Sequence, residues 1–397
     1  MHQLSRRKFI INILTGIGAI GFGYTLPKAL AKEKIFWGAV LPLTGANALY
    51  AKGIHAALEI AINQVNEKGG INNIPVDLIV EDNKSNINNS IEMAKKLIEV
   101  DKVSFLSGFN HIFGMSQLAC NYNIIFANYG LNIIPMEKVC NTYFTTNITM
   151  GQATKACTEW AASQNFGKAW SLATDKTYES SLIKPHFFEA AKRYGAKVKS
   201  QLEVSSKEDI DVLFSSKRIF KGSPSVIFAN FIDYEWQNRF VMLAREYKVT
   251  NSYNVILILG SPLSGADLIG SSYRDIYVGI PWHWKIEDRN KIAQKFLEIF
   301  LKKEDQIPNW QHAVAYETTR MILDVAANLG TVATNKLIDY LEVAKYNSLR
   351  GKGEMRKEDH VSVSNYFILR GKIAERPKDM FDIAGIIYAV CKPRKCR

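Results

Sequence analysis

Apolar runs and helical patterns alternate along the chain from Ile35 onward. Short apolar runs bounded by polar or turn residues are typical of buried strands, and apolar residues three and four positions apart are typical of helices. The predicted strands of this first part are Ile35–Leu41, Val76–Val80, Val103–Leu106 and Ile124–Ala127. The predicted helices between them are Leu49–Lys68, Ile91–Val100 and Gly114–Tyr122. This alternation predicts βαβ units and a parallel sheet.

A second series of strands and helices begins at Gly151. Its predicted strands are Ala169–Ala173, Val198–Val204, Val226–Ala229, Val255–Leu259 and Ile276–Val278. Its predicted helices are Gly151–Gln164, Leu182–Tyr194 and Trp236–Tyr247. The rest of the chain reads as the helices Asn290–Phe300, Asn309–Asn328 and Asn335–Leu341, and the strands Tyr366–Leu369 and Ile383–Ile387. A second α/β sheet is the simplest explanation of this restart.

The first residues have the pattern of an export signal. Arg6, Arg7 and Lys8 precede an apolar, glycine-rich run, and a small-residue cleavage site ends at Ala31. The arginine pair resembles a twin-arginine signal, which carries folded proteins across a membrane. The run is shorter than the roughly 20 apolar residues of a spanning helix, so cleavage after Ala31 is favoured over a membrane anchor. We therefore expect residues 1–31 to be a signal peptide and the mature chain to be periplasmic.

Length and charge narrow the class of protein further. Removal of 31 residues from 397 leaves 366, more than one hydrophobic core usually serves, so two domains are expected. The net charge is +12, and the loss of the four basic charges of the signal segment leaves +8. A basic surface can bind nucleic acid, but the lysines are scattered beside acidic residues and no nucleic-acid-binding motif is present. We expect no nucleic-acid partner.

The five cysteines predict disulfide chemistry and no metal site. Cys120 and Cys140 flank one predicted strand and could pair, and Cys391 and Cys396 could close a small loop near the carboxyl end. An exported protein reaches a compartment that permits such bonds. Cys157 lies on a predicted helix and is expected to be a buried free thiol. The spacings match no metal-ligand pattern.

Several stretches resemble the branched-chain amino-acid-type substrate-binding proteins of ABC importers. Trp37–Gly45, followed by the aromatic Tyr50, is similar to the family's first strand and its ligand loop. Ala61–Ile71 contains the specific run Asn-Glu-Lys-Gly-Gly-Ile, Val80–Asn83 matches an acidic strand end, and Arg356–His360 resembles a late motif of members that bind amides and aromatic compounds. The resemblance covers nearly all of the expected mature chain.

The resemblance implies the type I periplasmic binding protein fold: two Rossmann-like α/β lobes joined by three hinge strands, with the ligand between them. The implied crossings lie near Phe144–Thr149, Gly279–His283 and Ser364–Phe367. Lobe one is then residues 32–147 plus 284–364, and lobe two is residues 148–283 plus 365–397. Open α/β sheets bind ligands at the carboxyl ends of their strands, which agrees with such a cleft.

The positions that hold an amino acid in this family carry different residues here. In family members a Ser and a Thr hold the substrate carboxylate, and an acidic residue of lobe two holds the ammonium. The corresponding loop here, Gly108–Gly114, has no Ser or Thr, and the stretch Leu259–Pro262 has no carboxylate. Because an unpaired charge is costly to bury, we expect a zwitterionic amino acid to bind poorly.

Aromatic residues with a few hydrogen-bonding groups occupy the expected cleft instead. Such walls suit a small solute that is uncharged, aromatic or amide-like. For each side chain the alternative is a place in the core of a lobe. The predicted ligand-binding residues are Tyr50, Asn110, His111, Phe113, Asn128, Tyr129, Tyr178, Phe231 and Trp282.

No arrangement of residues predicts catalysis. The sequence lacks a nucleophile elbow, a zinc-protease motif and a phosphate-binding loop, so we expect no enzymatic activity and no cofactor. The predicted function is that of a periplasmic solute-binding protein, expected to be a monomer, that delivers a small molecule to an ABC permease in the inner membrane. The alternative is a periplasmic sensor or delivery module that passes a ligand to a signalling partner or an oxidoreductase.

Overall fold

The computed structural model describes residues 34–109, 111–132, 138–260, 270–373 and 380–389. These residues belong to one compact unit, Lys34–Arg397. The predicted signal peptide, Asn110 and the predicted Cys391–Cys396 pair lie outside the described residues. None of the helices within the described ranges is long and apolar enough to cross a membrane.

The first sheet has five parallel strands in the order β2-β1-β3-β4-β5. Its apolar strands are buried between helices, as the continuous apolar runs predict. The strands are Ile35–Leu41 (β1), Val76–Asp82 (β2), Phe105–Gly108 (β3), Ile125–Asn128 (β4) and Tyr143–Phe144 (β5). The helices of this part are Ala48–Asn66 (α1), Ile87–Glu99 (α2) and Ile112–Asn121 (α3).

The second sheet has seven strands in the order β15-β14-β10-β9-β8-β6-β7. The parallel strands are Ala169–Asp175 (β6), Lys197–Val204 (β7), Val226–Asn230 (β8), Asn254–Leu257 (β9) and Tyr277–Ile280 (β10). The two predicted sheets are thus confirmed. The two predicted strands near the carboxyl end are also observed, and they extend this sheet as an antiparallel pair, an arrangement that the pattern does not predict. Those strands are Asn365–Gly371 (β14) and Phe381–Tyr388 (β15). The helices are Met150–Ser163 (α4), Tyr178–Ser181 (α5), Ile183–Tyr194 (α6), Lys207–Ser215 (α7) and Tyr234–Glu246 (α8).

Three helices and a small sheet follow β10. The helices Lys291–Lys303 (α9), Trp310–Leu329 (α10) and Thr334–Leu341 (α11) match the prediction closely. The antiparallel strands Lys345–Ser348 (β11), Gly351–Met355 (β12) and Ser362–Val363 (β13) are not predicted. Polar and charged residues dominate this segment, so it lacks the apolar run by which a buried strand is recognised.

Helix α10 packs directly on α1, which places it with the first sheet. Gly53 of α1 allows the contact, because a Cβ at this position would lie 2.3 Å from the ring of His312. Tyr316 donates a hydrogen bond of 2.7 Å to Oε1 of Gln64 on the facing helix. The His312 ring also stacks on Phe300 at 5.2 Å between centroids. This close packing fixes the amino end of α10, which is part of the cleft described below.

Burial of the His312 ring predicts a pH-dependent stability. Its Nδ1 accepts a hydrogen bond of 3.2 Å from the backbone N–H of Asn309, and burial lowers the pKa of the imidazole from 6.5 to about 3. The unfolded chain therefore binds one more proton than the folded chain between these values. The free energy of unfolding should fall as the pH is lowered below about 6.5, by up to about 1.4 kcal/mol per pH unit from this group.

Urea denaturation between pH 7 and pH 4.5 measures this dependence. In the variant His312→Gln the free energy of unfolding should depend less steeply on pH, by the equivalent of about one bound proton, whatever the stability of the variant at pH 7. Equal slopes for the protein and His312→Gln would contradict the assignment.

The chain leaves the five-stranded sheet after β5, leaves the seven-stranded sheet after β10 for the helices α9–α11, and returns to the seven-stranded sheet at Ser364 from the small sheet of β11–β13. We call these three passages the crossings. Arg350, which belongs to a buried ion pair, contacts two of these crossings. Arg350 is paired with Glu317 of α10 at 2.8 Å, and both side chains are 2% exposed. Its guanidinium also donates to the carbonyl oxygen of Thr146 in the first crossing. Its own carbonyl oxygen accepts a hydrogen bond of 2.6 Å from Asn365 in the third crossing.

The cysteine predictions have separate outcomes. Cys120 and Cys140 form a disulfide, with their Cα atoms 5.9 Å apart, which confirms the pairing of these two residues. Cys157 is a free, buried thiol on α4, also as predicted. The disulfide connects the end of α3 to the segment that leads into β5.

Candidate functional site

A cleft of about 1150 Å³ lies where the carboxyl ends of strands from both main sheets meet. One wall is formed by residues at the amino ends of α1, α2, α3 and α10 and by the turn after β4. The other wall is formed by residues that follow β6, β8 and β9. Loops at the carboxyl ends of parallel strands are the usual binding site of open α/β sheets. The volume slightly exceeds the roughly 300–1,000 Å³ of typical small-molecule pockets.

The wall from the first sheet is mainly apolar. Four large apolar side chains line it and are substantially exposed: Leu49 by 60%, Ile87 by 53%, Phe113 by 44% and Ile91 by 38%. The amino ends of α1 and α3 also reach this wall, and neither has a side chain that accepts a hydrogen bond from its first turn. We call these four residues the apolar rim. Covering such an apolar surface removes it from water and lowers the free energy of the system.

Four of the predicted ligand-binding residues line the cleft. Tyr50 lies near Phe109, with ring centroids 5.7 Å apart, and both face the space from the first wall. His111 takes a left-handed backbone conformation before α3, and Nε2 lies 3.4 Å from the Ser85 carbonyl oxygen. Phe113 and Phe231 line opposite walls. Contact of these four residues with a ligand stays a prediction.

Tyr178 lies beside the cleft rather than in its lining. Its neighbours Thr177 and Glu179 line the space, while the Tyr178 side chain is 52% exposed. It begins α5, whose amino end is capped by the hydroxyl of Thr177. A ligand role for Tyr178 remains a prediction.

Three other predicted residues are turned into the interior instead of toward the cleft. Asn128 is held in a turn, because its amide bonds to the backbone of Gly130 and to the Tyr143 hydroxyl. The Tyr129 hydroxyl is 2.7 Å from Oγ1 of Thr319 on α10.

Trp282 is also buried rather than cleft-lining, and it packs edge-on against Phe296 at 5.9 Å between centroids. All three side chains are buried and are not part of the cleft lining, and a ligand role for them stays a prediction. The local turn and the tertiary packing decide these orientations, and neither is visible in the sequence pattern.

Carboxylates line the second wall, where the comparison of motifs predicts none. Asp175 ends β6, Glu179 lies in α5, and Asp233 and Glu235 are at the start of α8. The prediction considered only the stretch after β9, whereas these acids follow β6 and β8. All parallel strands of one sheet end at the same edge. The position of these acids directly after predicted strands was therefore the sequence feature that could have placed them in the cleft.

The amino end of α10 contributes two further residues that the sequence analysis missed. Trp310 Nε1 donates a hydrogen bond of 3.0 Å to the carbonyl oxygen of Gly260, which links the two walls at the base of the cleft. Gln311 lines the cleft and is 6% exposed, and its Oε1 has no hydrogen-bond partner. These residues come far along the chain from the loops that they face, so no local pattern predicts their place.

Comparison with known proteins agrees with this architecture. Residues 34–376 match the family model of periplasmic binding proteins. A stretch of 102 residues, 26% of the chain, is 37% identical to Leu/Ile/Val-binding protein homolog 1 of Brucella abortus and of Brucella suis. That match spans about a quarter, 26%, of the length of these curated relatives.

Solved structures share the fold over most of the chain. The amino acid ABC transporter substrate-binding protein of Pseudomonas fluorescens superposes with a TM-score of 0.83 at 15% identity, covering 92% of this chain and 99% of its own. A solute-binding protein of an ABC transporter from Rhodopseudomonas palustris, in complex with 3,4-dihydroxybenzoic acid, has a TM-score of 0.77 at 18% identity, covering 91% and 99%. At such identities the similarity shows the fold alone.

Proposed function

Because this chain belongs to the periplasmic binding protein family, we propose that it is the solute-binding component of an ABC importer and captures a small aromatic or amide-like solute. The cleft of about 1150 Å³ at the strand ends of both sheets, lined by aromatic and aliphatic side chains, carries this proposal. The family is periplasmic. Export through the predicted signal and delivery to an inner-membrane permease are parts of the proposal.

The lining argues against a plain amino acid as the solute. The first wall offers no Ser or Thr hydroxyl among its described residues. A substrate carboxylate would therefore lack the hydroxyl partners that hold it in the amino-acid-binding members of the family. The apolar rim favours a solute with a sizeable apolar or ring-bearing body. The proposed cycle begins with contact between the solute and one wall, and closure about the three crossings then buries it.

A thermal-shift panel tests the proposed function. Aromatic acids, amides, alcohols, amines and amino acids would each be added to the purified protein, and the midpoint of unfolding would be measured. A true ligand at 100 times its Kd should stabilise the protein by about 2.7 kcal/mol. Stabilisation by leucine or valine alone would contradict the proposed solute class, and a panel without any stabilising compound would count against capture of such solutes.

Tyr50→Ala should weaken binding of a compound identified in this way by roughly tenfold, because the ring lines the cleft beside Phe109. Tyr340→Ala is the matched control, since this exposed tyrosine of α11 is not part of the cleft lining. Titration calorimetry compares the two variants. Equal affinities would remove Tyr50 from the binding site.

A further inference from the structure

Acidic side chains line the cleft, whereas the whole chain carries a net positive charge. Its lining residues include the carboxylates of Asp175, Glu179, Asp233 and Glu235, and no lysine or arginine lines the described part of it. Yet the chain carries a net charge of +12. A negative cleft in a basic protein concentrates positive ligands and disfavours negative ones.

Most of these carboxylates keep their charge uncompensated. Glu235 lies 3.6 Å from Lys207. Asp175 accepts a hydrogen bond of 2.7 Å from the backbone of Ile232, and Asp233 caps α8. These N–H donors orient the carboxylates without supplying a full positive charge. Within the described part of the chain, no cation pairs with Glu179.

A side chain of the first wall, that of Gln311, independently requires a hydrogen-bond donor. Gln311 is buried at 6% exposure, lines the cleft, and has an amide oxygen with no hydrogen-bond partner. A buried acceptor without a partner destabilises the folded protein unless a bound group supplies a donor. An ammonium group carries only donors and can satisfy a carboxylate and an amide oxygen together. Gln311 and the acids of the second wall therefore favour the same kind of ligand group.

The surroundings favour an organic cation over a metal ion. Among the described residues, no group of three His, Cys, Asp or Glu side chains is arranged to hold a metal. Phe231, Tyr234 and Trp236 line the same wall as the acids, and aromatic faces attract ammonium groups. The apolar rim faces the space from the other side and would cover an apolar body.

We propose, on the basis of the function proposed above, that the captured solute is an organic amine: a protonated nitrogen held at the acidic second wall and an aromatic or aliphatic body on the apolar rim. Glu179 and Gln311 are the specificity-determining residues of this site. Lys138 has Nζ 5.7 Å from the centre of the Phe113 ring and is not part of the lining.

Four compounds with one phenyl ring and different charge test this inference. 2-Phenylethylamine, 2-phenylethanol, L-phenylalanine and 3-phenylpropionate would be titrated calorimetrically into the full mature protein at pH 7. The amine should bind at least about tenfold more tightly than the alcohol and the zwitterion, and the acid should bind most weakly. Added salt should weaken binding of the amine and leave that of the alcohol unchanged.

Variants identify the residues responsible. Glu179→Gln should weaken amine binding about five- to tenfold and leave alcohol binding unchanged, because only the charged ligand senses the carboxylate. Glu189→Gln is the control, since Glu189 of α6 is exposed and is not a lining residue. Gln311→Leu should also weaken binding of the amine.

The outcomes separate this inference from the proposed function. Binding of the alcohol, the zwitterion or the acid as tightly as the amine would overturn the amine assignment and leave solute capture intact. Failure of all four compounds would overturn the amine assignment as stated, and proposed solute capture would fail with it if native mass spectrometry and the thermal-shift panel also found no bound small molecule.

Discussion

Replacing Arg350 with methionine is expected to lower the free energy of unfolding by about 3–5 kcal/mol. The guanidinium and the Glu317 carboxylate are both 2% exposed, and Nε and Nη2 of Arg350 lie 2.9 and 2.8 Å from Oε2 of Glu317. Removal of one partner would leave the other charge buried without compensation. Urea denaturation followed by circular dichroism measures the difference.

Two further variants test the cause of this loss. Arg193→Met removes an arginine from an exposed pair with Glu189, at 3.1 Å, and should cost less than about 1 kcal/mol. The double variant Arg350→Met and Glu317→Leu removes both buried charges and should recover a large part of the stability lost by the single variant. A loss below about 1 kcal/mol for Arg350→Met alone would contradict the burial of this pair.

The second large effect is expected at Gly130, on the turn after β4. A Cβ at this position would lie 1.9 Å from the carbonyl oxygen of Phe109, which is backbone and cannot rotate away. Gly130→Ala should therefore displace the loop after β3 and cost about 1–3 kcal/mol of stability. Because Phe109 and Tyr50 line the cleft together, we expect affinity for the cleft's ligand to fall at least about tenfold.

Gly114 provides the matched control, since it lines the same cleft. A Cβ there would lie 2.8 Å from Cδ1 of Ile91, the end of a flexible side chain. Alanine also favours the helix α3 over glycine by roughly 1 kcal/mol. Gly114→Ala should thus be close to neutral in thermal unfolding. Similar behaviour of the two variants would show that the Phe109 carbonyl can move.

Much of the fold follows from burial patterns in the sequence. The strand Ile35–Leu41 has the same bounds in prediction and structure, and the helix predicted at Asn309–Asn328 is observed at Trp310–Leu329. The strand buries apolar residues and glycine, and nine of the fourteen buried residues of the helix are apolar; burial of apolar surface is the dominant driving force of folding. The sheet within 345–363 escaped prediction because its short strands carry few apolar residues.

The candidate site was less predictable because side-chain direction depends on turns. Asn128 ends a predicted strand and Tyr129 follows it, yet backbone bonds at Gly130 and the contact with Thr319 hold both side chains in the interior. Conversely, Gln311 reaches the cleft only because α10 packs on α1. Sequence position located the strand ends that form the cleft, and tertiary contacts decided which side chains enter it.

The anchoring of two crossings on one residue restricts how the sheets can move. Thr146 and Asn365 both bond to Arg350, so sliding of the first crossing past the third would break these two hydrogen bonds. For the proposed closure of the cleft, we therefore expect rotation about one axis rather than sliding. The open and closed shapes of the molecule should then differ by one angle, and a single pair of distance labels placed across the mouth should be enough to follow it.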